Sequence, residues 1–138
     1  MKRLLIDASS LMLLMKTANN QTALDHLRTS FLLDLTFYEV GNAIWKETCL
    51  TKFLTKNESE VLRNRVQIVL ARINKILSEA SSFQKILDIS ESEKLTFYGS
   101  SYLFAAKEKG LVLVTEDSKL RAKAEKHAEV QNVATLLS

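Results

Sequence analysis

The order of apolar and polar positions divides the chain into short apolar runs separated by longer periodic segments. Leu4-Leu5-Ile6 is apolar without alternation, the pattern of a strand covered on both faces, as strands in parallel sheets are. The run stops at Asp7, and Ala8 to Met15 predicts a helix. Within it Leu11-Met12-Leu13-Leu14-Met15 is apolar around the whole circumference, so one face packs on the sheet and the other needs a second cover, for which another subunit is the simplest choice. A polar turn over 17–21 leads to a short helix from about Thr22 to Arg28, and Phe31-Leu32-Leu33 predicts a second buried strand. Thr36 and Glu39, three residues apart, fit a capping box that starts a helix from Phe37 to about Leu50. Along that helix Val40, Ile44 and Cys49 form an apolar stripe, whereas Glu39, Asn42, Ala43 and Lys46 share a face that could line a polar cleft.

The clearest helical period follows. Leu62, Val66, Val69, Ile73 and Ile76 are spaced by four, three, four and three, which predicts one long helix over 57–77, opened by Asn57 and Glu60. Arg63, Arg65, Arg72 and Lys75 fall on its solvent side. A shorter helix is predicted over 82–94, and another from Phe97 to Lys109 that ends at Gly110, the usual left-handed cap. Leu111 to Val114 is again a buried strand that runs into acids, here Thr115-Glu116-Asp117. A helix from Ser118 to Lys126 and a short strand around Val130 to Val133 complete the pattern. Strands alternating with helices predict an α/β domain of three layers, α/β/α, with a central parallel sheet and right-handed crossovers.

Composition changes this picture little. The 138 residues contain no Pro, repeat or linker, which fits a single domain over 1–138, large enough to bury a core without disulfide or structural metal. One cysteine, Cys49, cannot form an internal disulfide, and neither a signal peptide nor a membrane span is evident, so a soluble cytoplasmic protein is expected. A net charge of +3 suits a nucleic-acid partner without requiring one.

Chemistry enters at the acids. Ligands of open parallel sheets sit outside the carboxyl ends of the strands, where Asp7 and Asp117 stand, and the polar-faced helix brings Glu39 to the same edge. Each acid also has a local account, as a helix N-cap for Asp7 and Asp117 and as a capping-box partner for Glu39. Two carboxylates about 4 Å apart repel by roughly 4 kcal/mol at an effective dielectric near 20, so such a cluster needs a proton or a cation. Oxygen-only ligands favour Mg²⁺ or Mn²⁺, and Mg²⁺ shared between one or two carboxylates and a phosphate suits phosphodiester hydrolysis. His26, His127 and Cys49 form no zinc or thiol constellation.

Four segments in order carry a family resemblance: Leu5-Ile6-Asp7-Ala8-Ser9-Ser10, Glu39 to Lys46, Leu95 to Leu103, and Leu113 to Leu120. Together they resemble the PIN-domain nucleases and, within them, the VapC-like toxins of toxin–antitoxin pairs. The resemblance implies a metal-dependent endoribonuclease that dimerises, cleaves RNA and is silenced by a VapB-like antitoxin. In it Asp7, Glu39 and Asp117 hold the ion, and the hydroxyls of Ser9 and Thr115 support them. One position departs: where the family usually carries a further Asp, this chain has Gly99, which implies weakened metal binding, with Glu116 as a second-ranked substitute. If Thr96 caps the helix, Gly99 is its third residue, where an acid is favoured and glycine is not. Two other classes stay open, a PIN module that binds RNA or antitoxin without cleaving, and a phospho-acceptor receiver domain. The receiver wants an acidic pair after the first strand, where Ala8-Ser9 stand instead.

Overall fold

In the computed structural model, which describes residues 2–17 and 21–138, five strands form one all-parallel sheet among the described residues. They are β1 (Leu4–Ile6), β2 (Ser30–Leu33), β3 (Asn74–Ile76), β4 (Val112–Val114) and β5 (Val130–Gln131), in the order β3-β2-β1-β4-β5. The helices are α1 (Ala8–Thr17), α2 (Gln21–Arg28), α3 (Asp34–Trp45), α4 (Lys56–Arg72), α5 (Phe83–Glu93), α6 (Phe97–Lys109), α7 (Ser118–Ala124) and α8 (Val133–Leu137). The strand order runs outward from β1 to β3, then returns to the other side of β1. Crossovers of one hand therefore place α1 to α4 on one face of the sheet and α5 to α7 on the other. Alternation within β1 serves both: Leu4 and Ile6 pack with Leu11, Leu14, Val40 and Leu62, while Leu5 packs with Leu103, Ala106 and Leu120 on the other face. The three-layer α/β/α architecture predicted from the alternating pattern is the one observed.

The all-round apolar character of Leu11 to Met15 has a different cause from the one expected. Leu11, Met12, Leu14 and Met15 are all buried within the single chain, because α3, α4 and α8 cover the side of α1 that faces away from the sheet. No second subunit is needed to shield that helix.

Several boundaries also shift. Residues 18–20 of the expected polar turn lie outside the described residues. Helix α3 starts at Asp34, directly after β2, so Thr36 is not a cap but a buried residue of its first turn. Asp34 fixes this start by accepting from Leu35 N (2.9 Å), Ser78 N (2.8 Å) and Ser78 Oγ (2.8 Å), which clips the end of β3 to the end of β2. Burial pushes the Asp34 carboxyl up, but these donors outweigh it and hold the group below the usual carboxylate range. After Trp45 the chain continues as a π-helical turn, Lys46–Leu50, which carries Cys49 to the surface rather than onto the apolar stripe.

The long helix predicted over 57–77 is two elements. α4 opens on the capping box of Thr55 and Glu58, not Asn57 and Glu60, and ends at Arg72. Ile73 is extended at ψ 150°, and β3 follows, so the spacing of Ile73 and Ile76 belongs to a chain end and an edge strand. Lys75 secures the break: its Nζ donates to the Leu70 carbonyl at 2.6 Å, one of the acceptors a helix end leaves unpaired. The other basic residues are partly engaged as well, since Arg63 bonds Ser59 Oγ and Arg65 bonds the Met15 carbonyl at the end of α1. The last predicted strand is cut to Val130–Gln131, because Asn132 caps α8 through Thr135 N at 2.8 Å.

Leu14, with no exposed surface, reports on this enclosure. Leu14→Ala should lower unfolding free energy by about 2–5 kcal/mol in urea titrations, and Leu14→Glu should prevent folding rather than release a folded monomer.

Candidate active site

The site is built by a register. Ile6 pairs with Val114 across β1 and β4, and the Asp7 amide extends that ladder by donating to the Val114 carbonyl at 3.1 Å. The next residue on each strand, Asp7 and Thr115, are thereby neighbours. Between β1 and β4 the strand order changes direction, and such switch points leave a crevice at the carboxyl edge of a doubly wound sheet. Thr115 Oγ1 donates to Asp7 Oδ2 at 2.5 Å and accepts from Asp117 N at 3.0 Å, so its single proton is committed to Asp7. Asp7 Oδ1 accepts from Ser9 Oγ (3.1 Å) and Ser10 N (2.9 Å). Asp7 is thus the cap of α1, standing at the carboxyl edge of the sheet.

Glu39 reaches the same edge from α3. Its Oε1 accepts from the Tyr102 hydroxyl at 2.7 Å, and the Thr36 hydroxyl lies 2.6 Å from that phenol oxygen. Burial and the charge of Asp7 raise the Glu39 carboxyl above its usual range, with the Tyr102 bond opposing them. Burial also raises the Tyr102 phenol, which stays protonated and a donor. The charge of Asp7 is thus felt at Glu39, which comes from a different element. Asn42 is exposed farther along α3 and Lys46 in the π-helical turn after it, whereas Ala43 packs against the core and leaves the polar face.

Asp117 is a helix cap. Its Oδ1 caps α7 by accepting from Lys119 N (2.9 Å) and Leu120 N (3.1 Å), while the residue itself is exposed. Glu116 turns the other way, with Oε1 toward Val133 N at the start of α8 (3.4 Å). Gly99 is the third residue of α6, its amide held by Thr96 Oγ1 at 3.1 Å. A β-carbon there would meet Thr96 Oγ1 at 3.4 Å and Leu120 Cδ1 at 3.8 Å, ordinary contacts, so position 99 adjoins the turn capped by Asp117 and has room for a side chain.

The sequence reading missed Tyr102 and Thr36, and it missed Arg121, whose Nη2 reaches the Thr115 carbonyl at 3.3 Å. Spacing held a clue to the first: Tyr102 is one helical turn from Gly99 and so shares its face of α6.

All acidic and hydroxyl donors at this edge are oxygens, which suits a hard cation in kind. Among the described residues, however, no three His, Cys, Asp or Glu side chains stand together as a ready ligand group. Asp7 and Glu39 are the two that feel each other's charge, while the Asp117 amide is tied to Asp7 through Thr115. That number matches Mg²⁺, which takes one or two protein carboxylates and fills its remaining positions with water or phosphate.

No protein-family model matches the chain. Among curated proteins it is 35% identical over 134 residues to the exonuclease VapC9 of Pyrobaculum aerophilum, covering 97% of this chain and 95% of that protein. Among solved structures it is similar to PAE2754 of Pyrobaculum aerophilum, at 32% identity and a TM-score of 0.82 over 99% of this chain and 87% of that one. FitAB, solved bound to a DNA fragment, shares the fold at 14% identity, with a TM-score of 0.67 over 94% of each chain. Among the described residues no helix is long and apolar enough to cross a membrane.

Thr115 is the joint between Asp7 and Asp117. Thr115→Val keeps the volume but strands a buried carboxylate oxygen and an amide, and should cost about 1–3 kcal/mol of stability, measured by chemical denaturation.

Proposed function

Because the chain belongs to the VapC-like group of PIN-domain nucleases, we propose that it is a metal-dependent endoribonuclease toxin, silenced by a VapB-like antitoxin and slowed by the glycine at position 99. What supports this reading is the run of hydrogen bonds from Asp7 through Thr115 to the Asp117 amide at the switch point of the sheet, with Asp7 near enough for its charge to act on Glu39. Asp7, Glu39 and Asp117 would hold Mg²⁺ or Mn²⁺, with the hydroxyls of Ser9 and Thr115 orienting Asp7. When bound, the ion supplies an activated water and charge stabilisation for phosphodiester hydrolysis. Glu116 does not replace the absent acid in this reading, since its carboxylate is engaged at α8.

The name of the curated relative favours a second reading, cleavage from a chain end. A circular single-stranded RNA separates the two, because only an endonuclease opens it. A receiver-type phospho-acceptor loses ground, since Asp7 is enclosed by Ser9, Ser10 and Thr115 and has no acidic neighbour in sequence.

Gly99→Asp is the direct test of the missing acid. An acid at the third position of α6 favours the helix start, so stability should hold or rise by up to about 1 kcal/mol. Mn²⁺ affinity, read by calorimetry, and RNA cleavage should both increase; unchanged metal affinity would show that position 99 does not face the acids. Asp7→Asn should abolish cleavage in either background.

The proposed homodimer moves from α1 to another face. Leu77, Phe83 and Tyr98 are exposed around a cavity of about 390 Å³ between β3, α5 and α6. Its border carries Lys85 and Lys109 together with Glu79 and Glu108. A two-fold interface must complement itself, and a border of both signs meets that condition. Phe83→Glu should shift light-scattering mass from dimer to monomer while the fold persists.

A further inference from the structure

Tyr102 is not among the acids and hydroxyls that the family resemblance carries, yet it is a buried group whose hydroxyl touches one of them, Glu39. Only 3% of its surface is exposed. Its phenol has one proton, given to Glu39 Oε1 at 2.7 Å, so the Thr36 hydroxyl at 2.6 Å must donate to the phenol oxygen. The result is a directed chain from Thr36 through Tyr102 to Glu39. Thr36 and Glu39 lie three residues apart on one face of α3, while Tyr102 comes from α6, whose core contacts lie on the opposite side of the sheet. The chain thus joins the two helical layers above the carboxyl edge of the strands.

We propose that Tyr102, oriented by Thr36, is a positioning residue that holds the Glu39 carboxylate turned toward Asp7, and that α6 serves the site through this hydroxyl rather than through an acid at position 99. A neutral donor is suited to the task. It fixes one oxygen of Glu39 while leaving the negative charge uncompensated, whereas a lysine there would neutralise it. Outer partners of this kind commonly set ligand orientation, and removing them typically costs about 10–100-fold in metal affinity. The proposal rests on Glu39 as a metal ligand only for its second readout below.

The test is Tyr102→Phe, which keeps the ring and deletes the hydroxyl. In metal-free protein, a crystal structure or side-chain NMR couplings should show Glu39 leaving its single orientation for several rotamers. In the Mn²⁺ titration, affinity should fall on the order of tenfold. Leu103→Ala is the control, a core substitution on the same helix that lowers stability yet should leave both readouts unchanged. Should Tyr102→Phe fail to fold, Thr36→Val removes the orienting donor instead and should also loosen Glu39. If Glu39 keeps one orientation in the folded variant, the proposal is overturned. If Glu39 loosens but neither the parent chain nor the Gly99→Asp variant binds Mn²⁺, the positioning role stands and the metal-nuclease reading falls.

Discussion

Everything at the carboxyl edge depends on the pairing of β1 with β4. These two strands lie far apart in sequence and have nothing local to bring them together, yet their register decides which side chains meet. Side chains alternate between faces along a strand, so a slip of one residue would send Leu5 and Leu113 to the wrong layer and separate Asp7 from Thr115. The buried alternation of Leu4, Leu5 and Ile6 therefore guards the site. The apolar core is what places the polar groups to within hydrogen-bonding distance.

In this arrangement nearly every acid is held by hydroxyls and amides rather than by cations. Asp7 accepts from Ser9, Ser10 and Thr115, Glu39 from Tyr102, and Asp117 from the first amides of α7. Among the described residues, none of the three forms an ion pair with Lys or Arg. Neutral donors satisfy the oxygens without cancelling their charge, so the edge keeps a negative potential inside a chain whose net charge is positive. Capping and site roles are accordingly not rivals. A helix N-terminus is a stable place to keep a carboxylate, and α1 and α7 begin on Asp7 and Asp117.

Much of this was legible in the residues. Uninterrupted apolar runs marked β1, β2 and β4 as strands covered on both faces, and an acid or threonine just past them marked the edge. What was not legible came from tertiary context. The break between α4 and β3 is made by Lys75 reaching back to Leu70 and by pairing with β2, neither of which alters the spacing of Ile73 and Ile76. Thr36 and Glu39 have the separation of a capping box, and only the contact with Tyr102, sixty-odd residues away, reveals that they share another purpose. Helix α1 is apolar all round because three other helices of the same chain enclose it, a fact its own sequence cannot distinguish from an interface.

The two borders of the sheet limit how this protein can associate. β3 is three residues long and presents Asn74 and Lys75 to solvent, and β5 contributes only Val130 and Gln131. Short borders that carry a charge are poor templates for strand addition, because an incoming strand finds few backbone groups to pair with and must desolvate an ammonium. Growth by extension of the sheet is therefore disfavoured at both ends. Contact with another molecule, whether a copy, an inhibitor or a nucleic acid, falls to the helical faces and to the crevice between them, which leaves the strand register of the site undisturbed by binding.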